Sequence, residues 1–323
     1  MKILVTGGAG YIGSALVPLL LSKGHTVRVL DRLTYGGSSL LGIWSHPNFQ
    51  LVKGDVRDAE TVDQAVQDMD AVVHLAAIVG DPACSKAPEL AYQINRDASL
   101  QLYRKANEHG ATRFVFASTC SNYGRMVDRE GMVDETSELR PISVYAKSKV
   151  EVETQLLELS RTEKLQPILL RFATAFGVSP RLRFDLTVNQ FTMEMMMKKK
   201  LTVFGEQFWR PYAHVGDISR AILAVLEAPL EKVGGQVFNV GSSDQNYQKQ
   251  QIVELIKPYC PDGVVEYVHK DEDPRDYKVS FEKIRSVLGF ENQYTVPGGI
   301  REFVELANSQ MIEDYEKAEY RNS

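Results

Sequence analysis

The 323-residue sequence contains only three cysteines, Cys84, Cys120 and Cys260, and they lie far apart. No CxxC pair and no Cys/His cluster occurs, so neither a disulfide framework nor a zinc site is indicated. Such sparse cysteine usage fits a reducing compartment, and a cytoplasmic protein is expected. The six histidines show no metal-ligand spacing, so no metal is expected. No run of about 20 apolar residues occurs, which argues against a membrane span. The start, MKILVTGG, runs straight into a glycine-rich turn and is too short an apolar stretch for a secretion signal. Basic residues are not in excess: 37 Lys and Arg face 42 Asp and Glu, for a net charge of −5. A polymeric phosphate would be repelled on average, so nucleic acid is not an expected partner. A local basic pocket for a small phosphorylated ligand is still compatible with that balance. Internal repeats and low-complexity linkers are also missing.

What is present is an ordinary globular composition, 44% hydrophobic and 24% charged. At ~150 residues per domain the length suits two domains or one large α/β unit. Apolar runs alternate with helical patterns through the first half. Strands are predicted at 2–6, 26–31, 50–53, 71–75, 113–117 and 167–171. Helices are predicted at 11–23, 59–69, 90–109 and 143–161. This alternation implies βαβ units and a doubly wound, Rossmann-type parallel sheet covered on both faces. After Gly177 the segments shorten, and Pro180, Pro211, Pro229, Pro258 and Pro274 punctuate them. A smaller α/β lobe is expected there, with the segment 213–242 returning to the main sheet.

Residues 6–13 read TGGAGYIG between a predicted strand and helix. Gly7, Gly10 and Gly13 permit a tight turn and let backbone approach a pyrophosphate. The free N–H groups of a helix opening at Tyr11 and Ile12 then hold the negative charge. Asp31 ends the second strand, where a carboxylate accepts from ribose hydroxyls and repels a 2′-phosphate. That favours NAD over NADP, although Arg32 next to it would blunt the preference. Asp55 and Val56 follow the third strand, in place for the adenine amino group. The alternatives are a plain turn cap for Asp31 and a plain loop aspartate for Asp55.

Tyr145 and Lys149 are four residues apart on a predicted helix and so share a face. A cation beside a phenol favours phenolate and lowers its pKa. Such a pair can take a proton from a sugar hydroxyl while hydride leaves the same carbon. Among the 14 tyrosines only Tyr145 has lysine four positions on. The segment STCSNYG, 118–124, follows the RFVFA strand. In an open parallel sheet, ligands bind beyond the carboxyl ends of strands, which brings Ser118, Thr119 and Cys120 to the correct edge.

With HLAA at 74–77, Asn95, LRFATAFG at 170–177, RPYAHVGD at 210–217, FNVGS at 238–242 and RDY at 275–277, these motifs resemble the extended short-chain dehydrogenase/reductase family. The resemblance spans nearly the whole chain and points to its nucleotide-sugar epimerase/dehydratase group, which is UDP-glucose 4-epimerase-like. It implies an NAD-binding domain over 1–177 and a nucleotide-sugar lobe mainly over 178–323. Tyr145 would be the acid/base, Lys149 would hold the nicotinamide ribose and tune Tyr145, and Thr119 would complete the proton path. Gly7, Gly10, Tyr11, Ile12, Gly13, Asp31, Asp55, Val56, Leu75, Ala76, Ala77, Asn95 and Ser118 would surround NAD. Arg210 would clamp the substrate diphosphate with its forked guanidinium, assisted by Arg275. Cys120 and Thr174 are further substrate candidates. The stretch 178–189 resembles a subgroup that includes a GDP-heptose 4-dehydrogenase, which adds Arg181, Arg183 and Asn189. A homodimer through helices 90–109 and 143–161 is also implied.

Two departures bear on the reaction. Cys120 and Ser121 stand where the 4,6-dehydratase pattern has Asp-Glu, which counts against elimination of water. Thr174 stands where the family often has Asn. The expectation is NAD-dependent oxidation at C4 of a nucleotide-activated sugar, as 4-epimerisation through a transient 4-keto sugar. A net-redox dehydrogenase or reductase, a dehydratase and a non-catalytic NAD-binding sensor are the alternatives. Thr119, Tyr145, Lys149 and Arg210 occurring together favour an enzyme over a sensor.

Overall fold

A computed structural model describes residues 1–124, 131–270 and 276–322. Its strands are β1 (Lys2–Thr6), β2 (Thr26–Asp31), β3 (Phe49–Lys53), β4 (Ala71–His74), β5 (Arg113–Thr119), β6 (Gln166–Phe172), β7 (Thr174–Phe176), β8 (Lys200–Phe204), β9 (Trp209–His214), β10 (Gln236–Val240), β11 (Asn246–Gln248) and β12 (Val264–Val268). Seven form one parallel sheet in the order β10-β6-β5-β4-β1-β2-β3. The inner strands read as continuous apolar runs because helices cover both of their faces. From β1 the chain builds outward through β2 and β3, then restarts on the other side at β4. A crevice therefore opens past the carboxyl ends of β1 and β4, where open α/β sheets bind ligands.

One face is covered by the helices Tyr11–Ser22 and Val215–Glu227. Their Leu16, Val17, Leu20, Ile218, Ile222 and Val225 pack with Ile3, Val5, Val27 and Val73 of the sheet. The other face carries Ala59–Val66, Ala98–Glu108 and Val144–Leu159. There Val62, Leu102, Tyr103, Val152 and Leu156 meet Leu4, Val72, Phe114 and Phe116. The late segment does return: β10 extends the sheet beside β6, with Phe238 opposite Leu170.

The single helix expected over 90–109 is interrupted. It is built as Pro88–Tyr92, a π turn Gln93–Asp97, and Ala98–Glu108. The wide turn buries Asn95 and aims it at the chain after β4: its Oδ1 accepts from Ile78 N at 2.8 Å and its Nδ2 donates to Ile78 O at 2.9 Å.

The smaller lobe contains a three-stranded sheet, β11-β9-β7, and the parallel pair β12-β8. The helices Thr187–Lys198, Lys249–Ile256 and Val296–Asn308 pack around Phe176, Tyr212 and Val203. Tyr315 and Ile312 near the end of the chain pack on Phe184 and Phe303. Among the described residues no helix is long and apolar enough to cross a membrane.

Candidate active site

β1 ends at Thr6 and the chain turns at Gly7, whose φ is 73°. A Cβ at Gly7 would sit 2.8 Å from Ala76 N, and one at Gly13 only 2.3 Å from Gly7 O. Both positions require glycine. Gly10 N donates to Gly7 O at 3.1 Å, and the helix then opens at Tyr11 and Ile12 with no side-chain cap and no acid in its first turn. The positive end of that helix is open to an anion. Asp31 braces the turn: Oδ2 accepts from Ala9 N at 2.9 Å and Oδ1 from Leu33 N at 2.7 Å. Each carboxylate oxygen keeps a further lone pair for a ribose hydroxyl. Arg32, expected to blunt Asp31, pairs with Asp55 at 3.2 Å instead. Arg57 binds the same carboxylate at 2.7 Å and is the largest cause of its pKa being held down at about 2. The Val56 side chain is part of the core.

The opposite wall is the half-buried run Leu75, Ala76 and Ala77. Leu75 N donates to Thr6 O at 3.1 Å and Ala76 N to Thr6 Oγ1 at 3.2 Å. Beneath them Thr6 Oγ1 is 2.7 Å from His74 Nδ1, and His74 Nε2 is 2.8 Å from Ser99 Oγ. Ser99 donates its own proton to Asn95 O at 2.8 Å, so Nε2 carries the imidazole proton and Nδ1 accepts from Thr6. The imidazole is neutral; burial, with Lys149 adding to it, pulls its pKa down to about 3. The Asn95 amide, expected at the cofactor, bonds Ile78 N and O and the Cys84 sulfur and so ties down the loop after β4.

Thr119 closes β5. Its Oγ1 accepts from Ser121 N at 3.1 Å, which leaves its own proton to donate. Tyr145 lies in the first turn of Val144–Leu159, capped by Ser143 Oγ accepting from Ala146 N at 3.1 Å. Lys149 is one turn on and 1% exposed. Its Nζ donates to Ala117 O at 2.8 Å and lies 4.5 Å from the Phe116 ring centre. Burial lowers the Lys149 pKa to about 8. Burial also raises that of Tyr145; Cys84, Asp81 and Tyr277 push the same way, and the Arg183 guanidinium opposes them. The phenol pKa is thus raised and not lowered as expected, while the Lys149 ammonium donates to the Ala117 carbonyl.

Sequence reasoning missed Glu153, which is 2% exposed and one helical turn beyond Lys149. Its carboxylate takes the Ser118 hydroxyl, Asn122 Nδ2 at 2.9 Å and Arg171 Nη2 at 2.7 Å. Arg171 Nη1 also donates to Tyr123 Oη at 3.0 Å, and Tyr123 donates to Asn239 Oδ1 at 2.7 Å. The Ser118 hydroxyl therefore belongs to this buried network. Cys120 likewise leaves the site. It is 1% exposed, its Sγ donates to Arg171 O at 3.2 Å, and burial drives its thiol pKa far up. The (i, i+4, i+8) series Tyr145, Lys149, Glu153 was the available signal for Glu153.

On the substrate side, Arg210 is buried on β9, with Nη1 donating to Trp209 O at 2.6 Å and its guanidinium 5.7 Å from the Tyr277 ring centre. Tyr277 Oη reaches Ser121 Oγ at 3.4 Å, which links this strand to the catalytic loop. Thr174 is half-buried on β7, opposite Tyr212. Arg183 forks onto Asp185 at 2.9 and 2.8 Å. Asn189 is a joint and not a substrate contact: Oδ1 accepts from Gly177 N at 3.1 Å, and Nδ2 donates to Arg183 O at 2.8 Å and Tyr11 Oη at 3.3 Å. Arg275 lies outside the described residues.

Residues 3–241 match the model of the NAD dependent epimerase/dehydratase family. The chain belongs to that family. It is 33% identical over 317 residues to a dTDP-glucose 4,6-dehydratase of Streptomyces niveus, which covers 94% of this chain and 92% of the relative. Its fold is similar to the UDP-glucose 4-epimerase of Thermotoga maritima solved with UDP-glucose, with TM-score 0.86, 28% identity, and 96% and 100% of the two chains covered. The UDP-glucose 4-epimerase of Thermus thermophilus in complex with NAD gives TM-score 0.83 at 26% identity, over 95% and 99% of the chains. Like other members of this epimerase/dehydratase family, the protein is an NAD-dependent enzyme. Its own residues fit that cofactor: a glycine cradle that a Cβ would fill, an uncapped helix N-terminus, and an Asp31 carboxylate with acceptor capacity left. Gly7, Gly10 and Gly13 would hold the diphosphate and Asp31 the adenosine ribose.

Proposed function

We propose that the protein is a nucleotide-sugar 4-epimerase, acting through a transient 4-keto sugar. The loop after Thr119 carries this reading. Elimination of water needs an acid and a base next to that threonine. Here the following residue, Cys120, is a buried thiol bonded to Arg171 O, and Ser121 is a neutral hydroxyl. Redox at one carbon needs only the groups that are present. Tyr145 takes the C4 hydroxyl proton, and Thr119, with its proton free to donate, bridges sugar and phenol. Arg183 offsets the burial that opposes phenolate. Arg210 binds the substrate diphosphate. Gly7, Gly10, Gly13 and Asp31 would hold NAD, which would supply a reversible hydride acceptor, and inversion at C4 requires the 4-keto sugar to turn over in the pocket before hydride comes back.

The test is NMR of UDP-, dTDP-, GDP- and CDP-sugars incubated with the protein in D₂O. A C4 epimer free of solvent deuterium is the expected product. Deuterium incorporation with loss of water would make it a dehydratase, and stoichiometric NADH a dehydrogenase; either result overturns the epimerase reading. Tyr145→Phe should abolish turnover while NAD binding survives. Unchanged turnover in that variant removes Tyr145 from the mechanism.

A further inference from the structure

The segment 177–185 crosses from the smaller lobe onto the cofactor helix. Ser179 Oγ donates to Tyr11 O at 2.6 Å, and Arg181 N donates to Ser14 Oγ at 3.2 Å. On the neighbouring side, the loop after β2 is tied to the glycine turn, with Ser39 Oγ donating to Ala9 O at 2.9 Å. The Arg181 side chain bridges these two segments, its guanidinium 4.2 Å from the ring centre of Tyr35 in that loop.

This guanidinium is poorly compensated. Arg181 is 6% exposed; Nη2 donates to Arg321 O at 3.2 Å, and the buried Nε has no partner. Among the described residues no carboxylate lies within ion-pair distance of it. The nearby Asp185 is already held in both forks of Arg183. Two guanidinium groups thus lie in a buried corner whose one carboxylate is paired with Arg183, and burial followed by Arg183 pulls the Arg181 pKa down. A buried charge without a counter-charge is costly, and the Arg181 backbone is bonded to Ser14, in the first turn of the helix whose N-terminus is uncapped. Among the described residues, Arg181 Nε therefore has donor capacity left in that corner.

We infer that Arg181 is an anion-binding residue of the cofactor cleft, and that the anion is the diphosphate bridge of the dinucleotide. The backbone N–H groups of the glycine turn are neutral donors; Arg181 adds a charged one. The inference rests on NAD dependence alone and is independent of the reaction at the sugar.

The test is calorimetric titration of the full-length protein, freed of nucleotide, with adenosine, ADP-ribose and UDP-glucose. Arg181→Gln is expected to weaken ADP-ribose roughly 10- to 100-fold, the range of a charged hydrogen bond. Adenosine and UDP-glucose should stay within about twofold by the same reasoning, and Arg181→Lys should recover part of the loss. Unchanged ADP-ribose affinity overturns the inference. So does an equal loss for adenosine, which makes Arg181 a support of the cleft, or a loss confined to UDP-glucose, which assigns it to the sugar. If Arg181→Gln does not fold, the wild type and Arg181→Lys are melted with inorganic pyrophosphate. A rise in Tm that is larger in the wild type is expected, and no rise in the wild type refutes the assignment.

Discussion

Lys149 buries an ammonium group between the Ala117 carbonyl and the Phe116 ring, and its pKa falls from 10.5 to about 8 as a result. An unfolded lysine keeps its proton up to about pH 10.5, so between the two values the unfolded chain binds more protons. Stability therefore rises with pH across that window. Below it, the folded protein carries the full burden of a buried charge. Lys149→Met should remove turnover yet stabilise the ligand-free protein at pH 7 by roughly 2 kcal/mol, once the lost carbonyl bond is set against the relief of burial. The gain should fade toward pH 10. Thermal melts of both proteins at pH 7 and pH 10 check this. The pairing of Tyr145 with Lys149 was legible as a one-turn spacing. The direction of the Tyr145 shift was not, because desolvation depends on walls supplied by distant segments.

The helix Val144–Leu159 works as a single element with three polar groups on one face. Under the proposed function Tyr145 and Lys149 face the chemistry, while Glu153 anchors the loop that carries Thr119 through Ser118 and Asn122. Glu153→Gln leaves Arg171 charged and buried without its counter-ion, and about 3–5 kcal/mol of stability should be lost. A looser 118–124 loop should lower kcat more than it changes KM. Denaturant unfolding and steady-state kinetics report the two effects, and adding Arg171→Met to the variant should restore much of the stability but not the rate. The π turn Gln93–Asp97 is the other element whose form follows from one side chain. Asn95, inside that turn, is bonded to Ile78.

Across the whole molecule, the cofactor sheet is not closed by its first 177 residues. β10 and the helix Val215–Glu227 arrive from the second half, and Ile218, Ile222, Val225 and Phe238 complete the cluster around Ile3, Val5 and Val73. A fragment of residues 1–177 would expose that face. It is expected to lack a cooperative thermal transition and to show weak near-UV dichroism, whereas the full chain melts cooperatively. Calorimetry of the two proteins decides it. The main sheet and its core cluster thus extend across the boundary expected at Gly177.

The sequence by itself determined the features whose causes are local. The turn at Gly7–Gly13 follows from backbone conformation, the parallel sheet from alternating periodicities, and the Tyr145–Lys149 face from 3.6 residues per turn. Tertiary structure alone decided which polar side chains face the ligands. Cys120 finds its partner 51 positions away, Asn95 at 17 and Arg181 at 167. Cys120 and Asn95 were turned from expected contacts into supports. Arg181 was left as a buried cation beside the cofactor helix. No local spacing encodes such partners, because folding brings them together from separate parts of the chain.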